Sequence, residues 1–378
     1  MKGLRMDETL ACESGYAVRR RGRFLIVELL QPHRVLCTSA RGGGQREDLR
    51  YLVNHQSCEG RGHQSRFLFL KQLGEAGYHR AACAELGLDP EAVALMGTAA
   101  NMNCASLASE EFAGLRVRAA VTAGVEGNAG RAGDPARWLE GEEGWSEVDP
   151  HAGTINVLLL IDWPLTPAAL ARAAITLTEA KSAALQELAV SSRFSPDLAT
   201  GTGTDQYCIA APLDDRRPRT NTGHHSRLGE LIGRCVLRAT REALRLQNGL
   251  EPSHTRSIAY ALRRFGLDET GLAAALKERL DKEAFLLFAQ NREAVLREPQ
   301  AVAAAYGFAA VCDRVRHGVL PPDQAAPVLR QQAAAMASCL AARPESWQSC
   351  WEQLTVDAGE PSRAVADALA LGWRLKWE

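Results

Sequence analysis

The residue pattern changes once along the chain, near Gly249, and that change limits the folds open to it. Before it, short β-branched runs alternate with Gly-rich junctions and helical stretches; from Ser253 onward the chain is rich in Ala, Leu, Arg, Glu and Gln. The first pattern predicts an α/β domain over residues 1–249, with a mixed or layered sheet and flanking helices. The second predicts an all-α extension or cap over 250–378, divided into about five helices by breaks at 266–268, 298–300, 318–323 and 343–345. A length of 378 residues is comfortable for two domains and long for one.

Strands are expected over 24–30, 34–38, 93–96, 117–122, 155–161 and 207–211, where β-branched and apolar residues cluster. Several open directly into small or polar residues, at 39–44, 97–103, 123–131 and 162–166, as the strand ends of an α/β fold do where a site is assembled. After 155–161, Thr166 is placed to cap a helix and Pro167 to occupy its first position. The helix body runs to about Val190, with Leu170, Ala174, Leu177, Ala184, Leu185 and Leu188 at helical spacing. Lys181 stands four residues from both Leu177 and Leu185, on the apolar stripe. A buried ammonium there must meet an anion or lose its proton, unless it snorkels from the edge of the stripe. Glu179 faces elsewhere on the same helix, whereas Asp205, from another element, would fit. A second helix is expected from near Ser226 to Gln247, with Leu228, Ile232, Cys235, Ala239 and Ala243 on one side.

Charge and composition exclude several functions. Lys plus Arg number 44 against 45 Asp plus Glu, a formal charge of −1, so nothing draws the whole chain to nucleic acid or acidic membrane. Arg216, Arg217 and Arg219 do not alternate with stacking aromatics, which argues against a single-strand nucleic-acid groove. The start is charged rather than basic-then-apolar, and the strongest apolar run, 155–161, spans seven residues and contains Asn156. A soluble, cytoplasmic protein is expected, with homo-oligomerisation left open. The ten cysteines form no CxxC pair and are read as reduced residues rather than a zinc cluster.

The densest chemical signal is ATGTGTDQ (199–206), just before a strand. Its glycines allow close approach of a ligand, Thr200, Thr202 and Thr204 offer hydroxyls, and Asp205 offers a carboxylate. It is neither a GxGxxG dinucleotide turn nor a phosphate loop, and a plain structural turn is the alternative. VTAGVEGNAGRAGDP (121–135) is a second backbone-rich loop, in which Asn128, Arg131 and Asp134 can orient amide or carboxylate groups of a substrate. In HAGTIN (151–156), Asn156 interrupts an apolar strand and must be hydrogen-bonded, and His151 is either a general base or an exposed turn residue. In GHHS (223–226), His224 and His225 at a helix entrance can meet an anion, act as acid or base, or serve structure; no HExxH spacing supports a metal. Weaker groups are 39–44 with Asn54 and His55, and Thr98, Asn101, Asn103 and Cys104. No GxSxG elbow marks a serine hydrolase.

Five segments, VTAGVEGNAGRAGDP (121–135), GTINVLLLID (153–162), TLTEAKSAAL (176–185), ATGTGTDQ (199–206) and GHHSRLGELIG (223–233), resemble in order and spacing the adenosylcobinamide amidohydrolase (CbiZ) family over about residues 20–248. The resemblance implies hydrolysis of the amide joining aminopropanol to the corrin ring of adenosylcobinamide, giving adenosylcobyric acid in corrinoid salvage. It raises the weight on Asn128, Glu179, Lys181, Thr202, Thr204, Asp205 and His225, which stand in the matching segments. The chain departs from the family in Glu126-Gly127, and the helical extension lies outside the resemblance.

An amide hydrolase needs an activated water or nucleophile, donors for the developing oxyanion and an acid for the leaving amine. Here Asp205 or His225 is expected to activate water, with Lys181 supporting the oxyanion or an acidic partner and backbone amides of 201–205 stabilising developing charge. A Thr202 or Thr204 nucleophile is the alternative. Asn128, Arg131, Asp134, His151, Asn156, Glu179 and His224 are the expected substrate contacts. No cofactor is required; cobalt, or the iron of an alternative substrate such as a ferric siderophore, would enter as part of the substrate. A non-enzymatic corrinoid- or chelate-binding module is the rival class.

Overall fold

A computed structural model of the chain describes residues 7–136, 138–141, 144–147 and 153–378. The chain divides into two compact units, Met1–Phe194 with Leu198–Leu250, and Ser195–Asp197 with Glu251–Glu378. In chain order the first unit contains β1 (Asp7–Cys12), β2 (Tyr16–Arg21), β3 (Phe24–Leu29), β4 (His33–Cys37), β5 (Gly44–Arg46), β6 (Tyr51–Gln56), α1 (Gln64–Leu86), β7 (Val93–Thr98), β8 (Ser106–Phe112) and β9 (Leu115–Gly124). It continues with β10 (Ala129–Gly130), β11 (Trp138–Gly141), β12 (Gly144–Glu147), β13 (Thr154–Ile161), α2 (Pro167–Glu187), β14 (Gly201–Thr202), β15 (Gln206–Pro212) and α3 (Arg227–Asn248).

Two larger mixed sheets carry the unit, one in the order β1-β2-β3-β6-β7 and one in the order β5-β4-β15-β13-β9-β8. Neighbours are antiparallel except β6 with β7 and β13 with β15. The sheets face each other across one core, to which Val18, Leu25, Leu52 and Met96 come from the first and Val35, Ala120, Leu158 and Ala210 from the second. Outside the first sheet, Ala82, Cys83 and Leu86 of α1 cover Phe24, Val53 and Leu95. Outside the second lie α2 and α3, which pack on each other and on β15, β8 and β9. The result is four layers, helix, sheet, sheet and helix pair. All eight residues of β13 are buried, which is why this strand reads as an apolar run rather than an alternation.

Asn156 is the polar exception in β13, and it bridges the sheets. Its Nδ2 donates to Asn54 Oδ1 on β6 at 2.8 Å and to the Gly97 carbonyl on β7 at 3.1 Å, while Asn54 Nδ2 donates to Thr122 Oγ1 on β9 at 2.8 Å. The crossover from β13 to its parallel neighbour β15 runs through α2. Thr166 accepts the Ala169 amide at 3.2 Å as N-cap and Pro167 takes the first position, as expected. Ser226 likewise caps α3.

The sequence reading did not anticipate α1 or the β1–β2 hairpin. Gly74, at φ 61°, breaks the helical path of α1, and its first half leaves Phe67, Leu68 and Phe69 exposed, so no continuous apolar stripe announces it. Three consecutive arginines, Arg19–Arg21, mask the strand pattern of β2.

The second unit is all helical: α4 (Pro252–Thr255), α5 (Ile258–Leu262), α6 (Glu269–Lys277), α7 (Lys282–Gln290), α8 (Arg292–Leu296), α9 (Pro299–Arg316), α10 (Pro322–Leu340), α11 (Trp347–Gln353) and α12 (Pro361–Leu375). These nine helices exceed the expected five because extra caps subdivide the chain; Asp281, for example, accepts the Ala284 amide at 2.9 Å. Phe308, Met336 and Trp373 anchor its core. Gly372 is required there, since a Cβ would stand 2.4 Å from the Ala337 carbonyl oxygen and push α12 off α10. Among the described residues, no helix is long and apolar enough to cross a membrane.

His55 of β6 is buried, stacked on Phe24 at 4.2 Å, and hydrogen-bonded through Nδ1 to the Tyr78 hydroxyl at 2.9 Å. Burial, aided by the charge of Arg23, pushes its pKa from 6.5 down to about 3. Below 6.5 the unfolded imidazole takes a proton that the folded one refuses, so stability falls as pH drops from 6.5 towards 3. Between pH 7 and 4.5 this residue is expected to remove on the order of 2–3 kcal/mol, a loss absent from His55→Gln. Urea unfolding of both proteins at the two pH values checks this; equal losses would remove His55 as the cause.

Candidate active site

Two Gly-rich loops meet at one end of the second sheet. β10, in the loop after β9, pairs with β14, in the loop before β15, through Ala129 opposite Thr202 and Gly130 opposite Gly201. The Thr200 amide extends the contact by donating to the Gly130 carbonyl at 2.9 Å. Helix α2 holds the 199–206 loop from behind, as Ser182 Oγ donates to the Thr200 carbonyl at 2.8 Å and Gln186 Nε2 to the Ala199 carbonyl at 2.9 Å.

Lys181 emerges from α2 with its side chain only 10% exposed, and its ammonium is hydrogen-bonded to Asp205 Oδ2. The carboxylate is placed by a further set of donors. Oδ1 accepts the Ile155 amide at 3.0 Å and the Thr202 hydroxyl at 2.5 Å; Oδ2 accepts the Thr202 amide at 3.0 Å as well as the ammonium. The ion pair accounts for the glycine at 201, because a Cβ there would lie 2.4 Å from Asp205 Oδ2 and 2.6 Å from Lys181 Nζ. Thr202 is half-buried while Gly203 and Thr204 are exposed, so the hydroxyl held by Asp205 stands just below an open loop tip. A hydroxyl beside a carboxylate, with a fixed cation behind it, is suited to proton transfer coupled to nucleophilic attack.

Thr204 and Asn128 line the same rim. Thr204 Oγ1 donates to the Gly153 carbonyl at 2.8 Å and meets Thr154 Oγ1 at 2.6 Å, and Asn128 Nδ2 donates to the same carbonyl at 3.2 Å. Arg131 and Asp134 shape the second loop: Asp134 Oδ2 accepts the Arg131 amide at 2.7 Å and the Ser192 hydroxyl at 2.6 Å, while Arg131 Nη1 reaches the Leu198 carbonyl at 3.4 Å. Asn156 lies fully buried behind the site, in the bridge between the sheets. His151 lies outside the described residues.

Glu179 and His224 pair at 2.5 Å, both exposed, on another side of α2 from Lys181. His225 is exposed, and no hydrogen bond joins it to Asp205 or Lys181. Cys104 has a thiol raised by burial, the opposite of what an activated nucleophile needs. Among the described residues, no group of three or more His, Cys, Asp or Glu side chains could hold a metal ion.

Sequence reasoning missed Gly153, Thr154 and the Ile155 amide as parts of the site. The signal was available in part: 153–155 directly precede Asn156, which pairs in parallel with Gln206, and that register brings them level with Asp205. Gln206 was also unassigned. Its Oε1 accepts the Gly97 amide at 3.3 Å and its Nε2 donates to the Thr38 carbonyl at 3.4 Å, pinning the end of the 199–206 loop to both sheets.

The two loop glycines should therefore differ in their tolerance of a methyl group. Gly201→Ala presses a methyl group onto the Lys181–Asp205 pair, and the overpacking is expected to cost about 1–3 kcal/mol. Gly203→Ala would meet only the Asn128 amide, at 3.4 Å, and is expected to stay within about 1 kcal/mol of the parent. Denaturant midpoints compare them; equal costs would contradict the close packing at Gly201.

Residues 9–252 match the family model described as adenosylcobinamide amidohydrolase. The chain is also 33% identical over 264 residues to an uncharacterized protein of Methanocaldococcus jannaschii, an alignment covering 66% of this chain and 98% of that protein. The matched span contains both Gly-rich loops, α2 and the Lys181–Asp205–Thr202 cluster. The chain belongs to the adenosylcobinamide amidohydrolase family.

Proposed function

We propose that this chain hydrolyses the amide joining aminopropanol to the corrin ring of adenosylcobinamide, releasing aminopropanol and adenosylcobyric acid. Residues 1–249 carry the activity and 250–378 form a helical extension to them. The observation that carries this reading is the Thr202 hydroxyl held at 2.5 Å by Asp205, itself paired with the nearly buried Lys181, inside the family span 9–252.

The Thr202 oxygen attacks the amide carbonyl carbon as its proton passes to Asp205. The tetrahedral intermediate collapses by breaking the C–N bond, and the leaving amine takes that proton. Water then hydrolyses the Thr202 ester by the same exchange, freeing the carboxylic acid and restoring the hydroxyl. Lys181 holds the carboxylate in place and supplies the positive charge nearest the developing oxyanion. His225 has no bond to this cluster, so Asp205 is the better acceptor of the attacking proton. Asn128 and the backbone of 201–204 bind the substrate amide at the rim, and cobalt arrives as part of the corrinoid.

A mass-spectrometric turnover panel containing adenosylcobinamide and several ferric siderophores tests the reading. Aminopropanol and adenosylcobyric acid are the expected products; cleavage of a siderophore alone would retain the reaction class and reject the corrinoid, and stoichiometric binding without turnover would favour a binding module. Asp205→Asn is expected to lower turnover by at least about 100-fold while changing substrate affinity only a few-fold. Unchanged turnover would reject the role of Asp205. Single-turnover intact mass should trap an ester on Thr202; product formation without any ester would reassign the attack to water.

A further inference from the structure

Cys37 closes β4 and stands directly opposite Cys208 of β15 in antiparallel register. Thr38 and Tyr207, the next pair, share a backbone hydrogen bond of 3.0 Å, so the cysteines occupy the adjoining non-hydrogen-bonded position. Opposed Cα atoms at such positions lie about 4.5 Å apart with their side chains close, inside the roughly 4.4–6.8 Å range of disulfide-linked cysteines. Both belong to the core between the two sheets, at 4% and 0% exposure, so only a very small oxidant can reach them.

The two thiols are also unequal. The hydrogen bond with Cys208 lowers the Cys37 pKa to about 7 against the opposing effect of burial, and the Ser39 amide and Arg46 charge add to it. The same bond, with burial, raises Cys208 well above its ordinary value. By contrast, burial raises Cys83 to about 11 and Cys235 and Cys312 to about 12. The core thus holds one thiolate-forming sulfur with a protonated partner across the strand pair, an arrangement fitted to attack followed by resolution.

We propose that Cys37 and Cys208 form a redox modification site at which hydrogen peroxide produces an intrachain disulfide between β4 and β15. The Cys37 thiolate attacks one peroxide oxygen and the O–O bond breaks. The departing hydroxide takes the proton the Cys37 thiol had released and leaves as water, and Cys37 becomes a sulfenic acid. The Cys208 sulfur then attacks the sulfenic sulfur, the S–O bond breaks, and the second hydroxide leaves with the Cys208 proton as water. Two thiols are oxidised by two electrons and one peroxide is reduced to two waters. The new bond ties down β15 three residues beyond Asp205, where the Tyr207 amide already donates to Thr38 Oγ1 at 2.9 Å.

The test treats the full-length protein with hydrogen peroxide, alkylates it, and maps its peptides without reduction. The expected result is a Cys37 peptide linked to a Cys208 peptide, lighter than their sum by two hydrogen atoms and separated by a thiol reductant. Cys37 should also be consumed at least roughly ten-fold faster than Cys83. In Cys208→Ser, which removes the resolving thiol but keeps a hydroxyl donor opposite Cys37, Cys37 should accumulate as a sulfenic acid, trapped by dimedone when the peroxide-treated protein is unfolded in its presence. Wild-type protein in which Cys37 and Cys208 stay free while Cys12 or Cys58 is oxidised would overturn the proposal. So would Cys37 oxidised beside a Cys208 that remains free.

Discussion

An ammonium group almost shut off from water must find its anion within bonding distance, and in this chain the loop geometry follows from that demand. Lys181 sits on the buried side of α2, so Asp205 has to come to it, and the last turn before β15 is built to bring the carboxylate there. Two backbone amides and one hydroxyl share Asp205 with the ammonium, which spreads the cost of burying the charge over several donors. A Cβ at position 201 would press on both members of the pair, and the glycine there lies opposite Gly130 where β14 pairs with β10. One ion pair thereby sets the course of both Gly-rich loops.

The same economy of donors appears one layer deeper. Asn156 could not sit in a fully buried strand without partners, and Asn54 with the Gly97 carbonyl provides them from the opposite sheet. The bridge locks the relative register of the two sheets, and Gln206 repeats the connection beside Asp205 through Gly97 and Thr38. The carboxylate consequently rests on a frame fixed from α2 and from both sheets. The proposed role of Asp205 needs such support behind its first contacts, because a small displacement of a reacting group is enough to lose rate.

Much of this was legible in the residues. The lysine on an apolar stripe demanded an acidic partner, and the Asp205 named for it is the partner found. The Thr166 cap, the buried β13 and the all-helical C-terminal unit also followed from local pattern and capping chemistry. What escaped was information that does not reside in side-chain type. The Ile155 amide acts through its backbone, and Gly153 through its carbonyl, so neither leaves a compositional trace. Helix α1 escaped because Gly74 divides it and half of it buries nothing. The two histidines of 223–226 drew attention by chemistry alone, yet His224 pairs with Glu179 away from the Lys181 side of α2.

The saturation of Asp205 separates two roles that sequence spacing could not. A carboxylate with both oxygens already engaged is a poor free base for an unplaced water, since a new donor must displace one it has. The Thr202 hydroxyl needs no such displacement, because its proton already points at Oδ1 and its oxygen accepts only the long 3.4 Å contact from the Thr204 amide. In the proposed attack, transfer of that proton would leave the ammonium and the two amides in position, so that the site reorganises little. The geometry that stabilises the buried lysine therefore favours a nucleophile built into the loop over one drawn from solvent.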